Sequence, residues 1–136
     1  MNDHLTFPNL GLLEPFAVEP TKVDKPWGYE LIWAETDDYV GKILFVKAGE
    51  SLSLQFHREK DESLFVHSGQ ARIEMAAPGE KLPQAEIVGP GAAFRIKPGT
   101  VHRITGVEDT TIIEVSTPHL GDVVRLEDRY GRVPGA

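Results

Sequence analysis

The chain has no cysteine and no long apolar run, and these absences exclude several kinds of protein. Without cysteine among its 136 residues, disulfides and thiolate chemistry are excluded. No apolar stretch approaches the roughly 20 residues that a membrane-spanning helix requires. The N-terminal stretch MNDHLTFPNLGLLEPF lacks the positively charged start and continuous apolar core of a secretory signal. We therefore expect a cytoplasmic protein.

Positive charge is scarce relative to negative charge. The 14 Lys and Arg residues against 21 Asp and Glu residues give a formal net charge of −7. Such a charge repels nucleic-acid backbones and anionic lipid, so we expect neither nucleic acid nor a membrane as a partner. The length suits one domain with one core, and a small molecule is the expected ligand.

Glycine and proline recur at short intervals along the chain. The segments between them are rich in Val, Ile, Phe and Thr, as in KILFVKA, SLFVHS and TTIIEVS. None maintains a helical apolar period over several turns, so the pattern predicts an all-β sandwich or barrel. Residues 1–24 contain Pro8, Pro15 and Pro20 and few periodic positions. We interpret them as an extended N-terminal arm that packs across the barrel or onto a partner subunit.

The stretch SLSLQFHREKDE, residues 51–62, changes from alternating polar and apolar residues to a run of charges. Alternate residues of a strand share a face, so the leucines and the phenylalanine point one way and the polar residues the other. The polar face comprises Ser51, Ser53, Gln55 and His57. In a fold of two sheets, this polar face is either wet or lines a cavity.

Four polar side chains are candidates for one metal site. Gln55 and His57 lie on the same strand face, close enough to reach one ion. Glu62 opens the next strand, which returns toward the same point in an antiparallel pair. His102 follows the tight turn KPGT on a strand remote in sequence. An amide oxygen, two imidazoles and a carboxylate suit a divalent cation such as Zn, Mn, Fe or Ni.

Ordinary structural roles are the alternative for the same residues. A histidine beside a turn is more often solvated or hydrogen-bonded than a ligand, and residues 58–61 are by default a solvated hairpin turn. Of the other histidines, His4 lies in the arm and His119 follows a proline. His67 falls on the strand face opposite to Glu62. Spacing alone leaves both interpretations open.

The spacing of these residues resembles the two-part signature of small cupins. The first part, G-x5-H-x-H-x(3,4)-E-x6-G, is matched over residues 49–69, with Gln55 in place of the first histidine. The second part, G-x5-P-x-G-x2-H-x3-N, is matched over residues 91–106, with Lys97 and Gly106 in place of Pro and Asn. The resemblance implies a cupin barrel, that is, a double-stranded β-helix or jelly roll, with a metal site.

Within the cupins, the chain resembles the type II phosphomannose isomerase domain. Residues 53–57 read SLQFH, where type II members read S-L-Q-x-H. Residues 25–30, KPWGYE, resemble the entry motif of that domain, and residues 122–132, DVVRLEDRYGR, resemble its closing motif. The resemblance implies a barrel domain over residues 25–132 that includes a C-terminal closing segment. The usual run H-H-H-R-x-E-H-W is replaced here by HREKDESL, so the histidine cluster and the tryptophan are missing.

The resemblance also implies a ligand set and a reaction. Gln55, His57, Glu62 and His102 would hold one divalent metal, with Zn as first choice and Mn, Ni or Fe as others. The implied activity is metal-dependent aldose–ketose isomerisation of a sugar phosphate, mannose 6-phosphate to fructose 6-phosphate or a related pair, through a cis-enediol. The differences from the usual histidine cluster leave the identity of the sugar phosphate open.

Fixed cations are expected around the phosphate group of such a substrate. The first candidates, as catalytic and substrate-binding residues, are Lys60 and Arg125; the further substrate-binding candidates are Arg58, Arg103 and Lys97. Lys60 is a candidate base only if burial lowers its pKa. Trp27 and Tyr29 are candidates for stacking on the sugar. The alternatives are surface charges for the cations and core packing for the aromatic rings.

Other function classes fit part of the pattern. One is a metal-dependent cupin with different chemistry, such as a dioxygenase or another sugar-modifying enzyme; the neutral amide of Gln55 counts against iron oxygenation, which prefers His and carboxylate ligands. Another is a non-catalytic cupin that binds a sugar or a metabolite. A metal-free barrel would require the four candidate ligands to be unrelated. Because cupins commonly pair through strand edges and arms, we expect a homodimer.

Overall fold

The Val-, Ile- and Thr-rich segments form two antiparallel sheets in the protein, whose structure is a computed structural model describing residues 10–77, 79–80 and 83–133. The six strands of the first sheet are, in spatial order, β1 (Thr21–Lys25), β2 (Gly28–Glu35), β3 (Val40–Val46), β10 (Thr110–Ser116), β5 (Glu62–Ser68) and β8 (Ala93–Ile96). The five strands of the second are β11 (Val124–Glu127), β4 (Leu54–Phe56), β9 (Val101–Gly106), β6 (Ala71–Ala76) and β7 (Gln84–Val88). The prediction of an all-β fold is confirmed.

The apolar core lies between the two sheets because alternate residues of most strands point inward. In β5, for example, Glu62, Leu64 and Val66 are buried while the residues between them are exposed. The buried core residues are Trp27, Leu44, Val46, Leu64, Val66, Ala71, Ile73, Ile96, Ile104 and Ile112. Residues on the same inward phase but nearer the strand ends are available to line a site.

Gly28 allows the entry segment to approach the neighbouring strand closely. A Cβ atom at this position would lie 1.8 Å from the carbonyl oxygen of Phe45, so no side chain fits there. Trp27, immediately before it, is almost fully buried in the core cluster. The motif at residues 25–30 therefore fixes a large aromatic ring inside the barrel.

The predicted arm is described only in part. Residues 1–9 lie outside the described residues, and Gly11–Phe16 form a 3-10 helix without a buried residue. Residues 21–25 are strand β1, which pairs with β2 at the edge of the first sheet. The division into an arm of residues 1–24 and a barrel of residues 25–132 stays a prediction. In the described ranges, no helix is long and apolar enough to cross a membrane.

Candidate active site

The polar face of residues 51–57 lines a cleft inside the barrel. Ser53, Gln55 and His57 all contribute to this cleft, which has a volume of about 230 Å³. The apolar face predicted for this stretch does not line the cleft, except for Leu52, which lines the cleft and also packs against the core. Ser51, the first residue of the predicted polar face, is buried but lines a different pocket, so three of the four polar residues meet at this cleft.

His57, Glu62 and His102 converge, and each lies in or directly after a different strand. His57 directly follows β4, Glu62 is the first residue of β5, and His102 lies in β9. All three are buried, and one ligand atom of each lies within 4.8 Å of the others. A backbone hydrogen bond from Gly99 to the carbonyl oxygen of His57, 2.7 Å long, also ties the turn before His102 to the end of β4.

Hydrogen bonds orient both imidazole rings. The Nδ1 atom of His57 donates to the backbone oxygen of Asp122 at 2.5 Å, and the Nδ1 atom of His102 donates to that of Thr100 at 2.9 Å. Burial lowers the pKa of His102, although the charge of Glu62 opposes this effect, so the ring is neutral at neutral pH. With its proton on Nδ1, a neutral ring presents the Nε2 lone pair to the cluster.

The donor set fits a divalent metal ion. The Nε2 atom of His57 lies 2.7 Å from Oε2 of Glu62, yet neither buried atom has a hydrogen-bond partner in the described part of the chain. Burial disfavours the charge of Glu62, but the adjacent His57 ring and Lys60 outweigh it and lower the pKa of this carboxyl. A buried ring nitrogen and a buried carboxylate oxygen that lie this close without another partner can both be satisfied by a cation, and imidazole nitrogen with carboxylate oxygen suits Zn²⁺ and its neighbours.

Gln55 lies beside this cluster. It is directly opposite His102 in the pairing of β4 with β9. The amide oxygen of Gln55 accepts a hydrogen bond from the Ser53 hydroxyl at 2.6 Å, which orients the amide in the cleft. Its role as a fourth metal ligand stays a prediction.

A row of buried charges leads away from the cluster, and of its members only Glu62 and Lys60 were candidates from the sequence. Lys60 Nζ lies 3.0 Å from a carboxylate oxygen of Glu114 and 3.5 Å from one of Glu62. Lys42 Nζ lies 3.2 Å from Glu30 and 3.9 Å from Glu114. Glu30, Lys42 and Lys60 also line the cleft. The sequence could have predicted that Lys42 is buried, because Lys42 is in phase with the buried residues of its strand.

The pKa of Lys60 is not lowered, as a general base at this position would require. Burial disfavours its charge, but Glu114 and Glu62 more than offset the burial, so the pKa of Lys60 is raised. Burial raises the pKa of Glu114, assisted by the charge of Glu62 and opposed by Lys60 and Lys42. Lys60 is therefore a hydrogen-bond donor at neutral pH, not a proton acceptor.

Cations dominate the charged lining of the cleft. They are Lys25, Lys42, Lys60, Arg125 and Arg132, against the single carboxylate of Glu30 among the described lining residues. Arg125 lies opposite Gln55 in the pairing of β11 with β4, and its Nε atom is buried without a hydrogen-bond partner in the described chain. Trp27 lines the same cleft while it packs in the core, and its stacking on a sugar stays a prediction.

Several sequence candidates are not brought to the cleft. Arg103 follows His102 on β9 and so points to the other face, where it pairs with Glu74 at 2.7 Å, so the structure does not bring this candidate to the cleft. Arg58 and Lys97 are exposed on loops, and neither lines the cleft. Tyr29 points to the outer face of the first sheet and stacks on Phe45 there.

The other two histidines among the described residues do not join the cluster. His67 is exposed on the face of β5 opposite to Glu62, as predicted. His119 Nδ1 lies 2.8 Å from the hydroxyl of Thr117, and His4 lies outside the described residues.

Comparison with known proteins agrees with the fold. The family described as Mannose-6-phosphate isomerase C-terminal matches residues 17–128. Mannose-1-phosphate guanylyltransferase ManC of Salmonella typhimurium is 36% identical over 118 residues, which are 82% of this chain and 23% of that protein. The chain thus spans about a quarter of the length of the curated relatives it matches.

Solved structures share the barrel. The capsular polysaccharide assembling protein CapF of Staphylococcus aureus superposes with a TM-score of 0.67 and 20% identity, over 83% of this chain and 36% of that one. Oxalate decarboxylase of Bacillus subtilis superposes with a TM-score of 0.71 and 17% identity, over 85% and 32% of the two chains. The predicted cupin barrel is confirmed, and the chain belongs to the Mannose-6-phosphate isomerase C-terminal family of cupin domains.

Proposed function

We propose that this cupin is a metal-dependent isomerase that interconverts mannose 6-phosphate and fructose 6-phosphate, or a closely related pair of sugar phosphates. The observation that carries the proposal is the buried cluster of His57, Glu62 and His102 beside a cleft rich in cations. Membership of a family named for mannose-6-phosphate isomerase supports the choice of substrate.

The metal would be held by Gln55, His57, Glu62 and His102, with Zn²⁺ as first choice and Mn²⁺, Ni²⁺ or Fe²⁺ as others. The proposal is supported by the proximity of His57, Glu62 and His102, which have one ligand atom each within 4.8 Å of the others. When bound, such an ion supplies a Lewis acid for the oxygens on C1 and C2 of the substrate.

The isomerisation needs no co-reactant, because every atom is conserved. The proton on C2 of the open-chain aldose is removed and O1 gains a proton, which gives a cis-enediol; a proton then returns to C1 while O2 loses one. Lys60, protonated and held against Glu114, would donate a hydrogen bond to a substrate oxygen near the cluster. Arg125, with its unpartnered buried Nε, would bind the phosphate group.

The test is product formation by the chain after separate reconstitution with each of the four metals. Mannose 6-phosphate is supplied, and fructose 6-phosphate is followed by proton NMR. We expect turnover with at least one metal and none after chelation. Absence of product with all four would contradict the proposal for this substrate.

Replacing Arg125 with glutamine tests the phosphate role. We expect KM for mannose 6-phosphate to rise about 10- to 100-fold, because a hydrogen bond to a charged group contributes roughly 1.5–3 kcal/mol. Steady-state kinetics measure this change. The matched control is Arg103→Gln, which removes an arginine that is paired with Glu74 away from the cleft. Equal KM values for both variants would contradict the assignment of Arg125.

We further propose that the protein is a homodimer in which the N-terminal arm covers apolar surface of the partner. Leu12 and Phe16 in the 3-10 helix are 95% and 79% exposed within the protomer. Phe65 and Val115 are exposed on the outer face of the first sheet. Exposed apolar side chains mark candidate interfaces, and in a symmetric dimer the arm of each copy would cover the outer face of the other.

Deletion of residues 1–20 is expected to convert the dimer into a monomer. The dimer loses the apolar side chains of the arm that would cover the partner, and light scattering measures the mass. Phe65→Asp, which places a charge on the outer face, should act in the same direction. A truncated chain that remains dimeric would remove the arm from the interface.

A further inference from the structure

Asp122 makes four hydrogen bonds to residues 57–60, the segment that begins with one proposed metal ligand, His57, and leads to another, Glu62. Its backbone oxygen accepts from Nδ1 of His57 at 2.5 Å. Its carboxylate accepts the backbone N–H groups of Arg58 at 3.0 Å, Glu59 at 2.7 Å and Lys60 at 2.8 Å. One residue of the closing segment therefore contacts four consecutive residues that are remote from it in sequence.

The backbone contact decides which nitrogen of His57 faces the cluster. Because Nδ1–H donates to the carbonyl of Asp122, Nε2 is the ring nitrogen that faces the cluster, 2.7 Å from Oε2 of Glu62. Partners of this kind fix the tautomer and the orientation of a ligating histidine. The carbonyl can do so only while Asp122 itself is held in place.

The carboxylate contacts hold the residue and shape the turn. Three backbone N–H groups converge on one carboxylate, and these hydrogen bonds lower the pKa of Asp122 to about 2. The turn they fix leads from His57 through Lys60 to Glu62, so its shape sets the separation of the ligands. The same residue precedes β11, which carries Arg125 opposite Gln55.

We propose that Asp122 is a positioning residue that fixes the orientation of His57 and the turn of residues 58–60, and thereby sets the metal affinity of the site. The inference rests on the metal site of the proposed function and not on the isomerisation itself. Asp122 touches neither substrate nor metal in this role; it acts through His57 and the turn.

The test measures metal affinity and the ligand field of the bound ion. Asp122→Asn removes the carboxylate charge and one oxygen acceptor at nearly constant shape, so the turn loses hydrogen bonds. We expect Zn²⁺ affinity, measured by competition with a chromophoric chelator, to fall at least about 10-fold, in the range typical for partners behind metal ligands. At saturating Co²⁺, the visible bands of the variant should differ in position or intensity from those of the parent.

Two further variants separate positioning from fold loss and from charge. Asp109→Asn is the matched control, because that carboxylate also accepts a backbone N–H, from Ala48 at 2.9 Å, but at a loop away from the cluster; its affinity should stay within twofold of the parent. Asp122→Glu keeps the charge on a longer side chain, and we expect its Zn²⁺ affinity to fall as well. If Asp122→Asn does not fold, the Zn²⁺ affinity of Asp122→Glu tests the positioning role in its place.

The outcomes are distinct from those of the activity assay. The positioning role would be overturned if Asp122→Asn kept the Zn²⁺ affinity and the Co²⁺ bands of the parent. It would also be overturned if Asp122→Glu bound Zn²⁺ as tightly as the parent does. If the parent binds metal but does not isomerise mannose 6-phosphate, the proposed reaction fails while the role of Asp122 is still measured.

Discussion

His102→Ala is expected to lower the affinity of the protein for Zn²⁺ by more than about 100-fold. The replacement removes a neutral, buried imidazole whose Nε2 lone pair points into the cluster. Even residues that only support a ligand typically contribute 10- to 100-fold to metal affinity, so the loss of a ligand exceeds that range. Competition with a chelator of known affinity measures the change, and circular dichroism confirms that the variant is folded.

The matched control is His67→Ala. His67 is exposed on the outer face of β5, so its removal should leave Zn²⁺ affinity within about twofold of the parent, as for a surface change away from special features. If His102→Ala bound Zn²⁺ as tightly as His67→Ala does, the ion would not be held by this cluster.

Glu114→Ala is expected to lower the free energy of unfolding by about 3 kcal/mol. Glu114 is 3% exposed and contacts the buried ammonium groups of Lys60 and Lys42. Removing one partner of a buried ion pair typically costs roughly 3–5 kcal/mol, because the other charge stays buried. The lower end applies here, since Lys60 keeps Glu62 and Lys42 keeps Glu30.

Urea unfolding in the presence of a chelator measures this effect without a contribution from metal binding. The control is Glu86→Ala on β7, an exposed carboxylate, for which we expect a change within about 0.5 kcal/mol. A loss below about 1 kcal/mol for Glu114→Ala would mean that the row of buried charges is not coupled as its distances indicate.

The strand alternation in the sequence predicted that His57 and Glu62 lie close together. Because Gln55 and His57 share a strand face and Glu62 opens the next strand, their convergence follows from elementary sheet geometry. The same alternation excludes Arg103 from the cleft, because it is adjacent to His102 on one strand. Arg103 was a candidate because of its charge, without regard to the strand face on which it lies.

The buried charges were harder to predict, although a signal exists. Lys42 falls in phase with Val40, Leu44 and Val46, and such a position is buried whatever its side chain. Its partner Glu114 lies directly opposite on the neighbouring strand, but this pairing joins segments far apart in sequence. Local pattern therefore indicates that a charge is buried, and only the sheet order identifies what neutralises it.

The contacts of Asp122 could not be predicted from the pattern. They join two irregular segments, residues 57–60 and the start of the closing segment, through one side chain and one carbonyl. Neither segment has a period from which a direction can be inferred. The family motif marks Asp122 without indicating its partners, which depend on how β11 docks beside β4.

The most direct test of the central claim is hydrogen exchange during turnover. The metal-loaded protein and His102→Ala are incubated in parallel with mannose 6-phosphate in D2O, and proton NMR follows the substrate and the product. We predict fructose 6-phosphate with deuterium entering at C1 or C2 for the parent, and neither product nor exchange for the variant. A parent that binds the ion tightly but gives no product and no exchange, or a variant that is as active as the parent, would contradict isomerisation at this metal site.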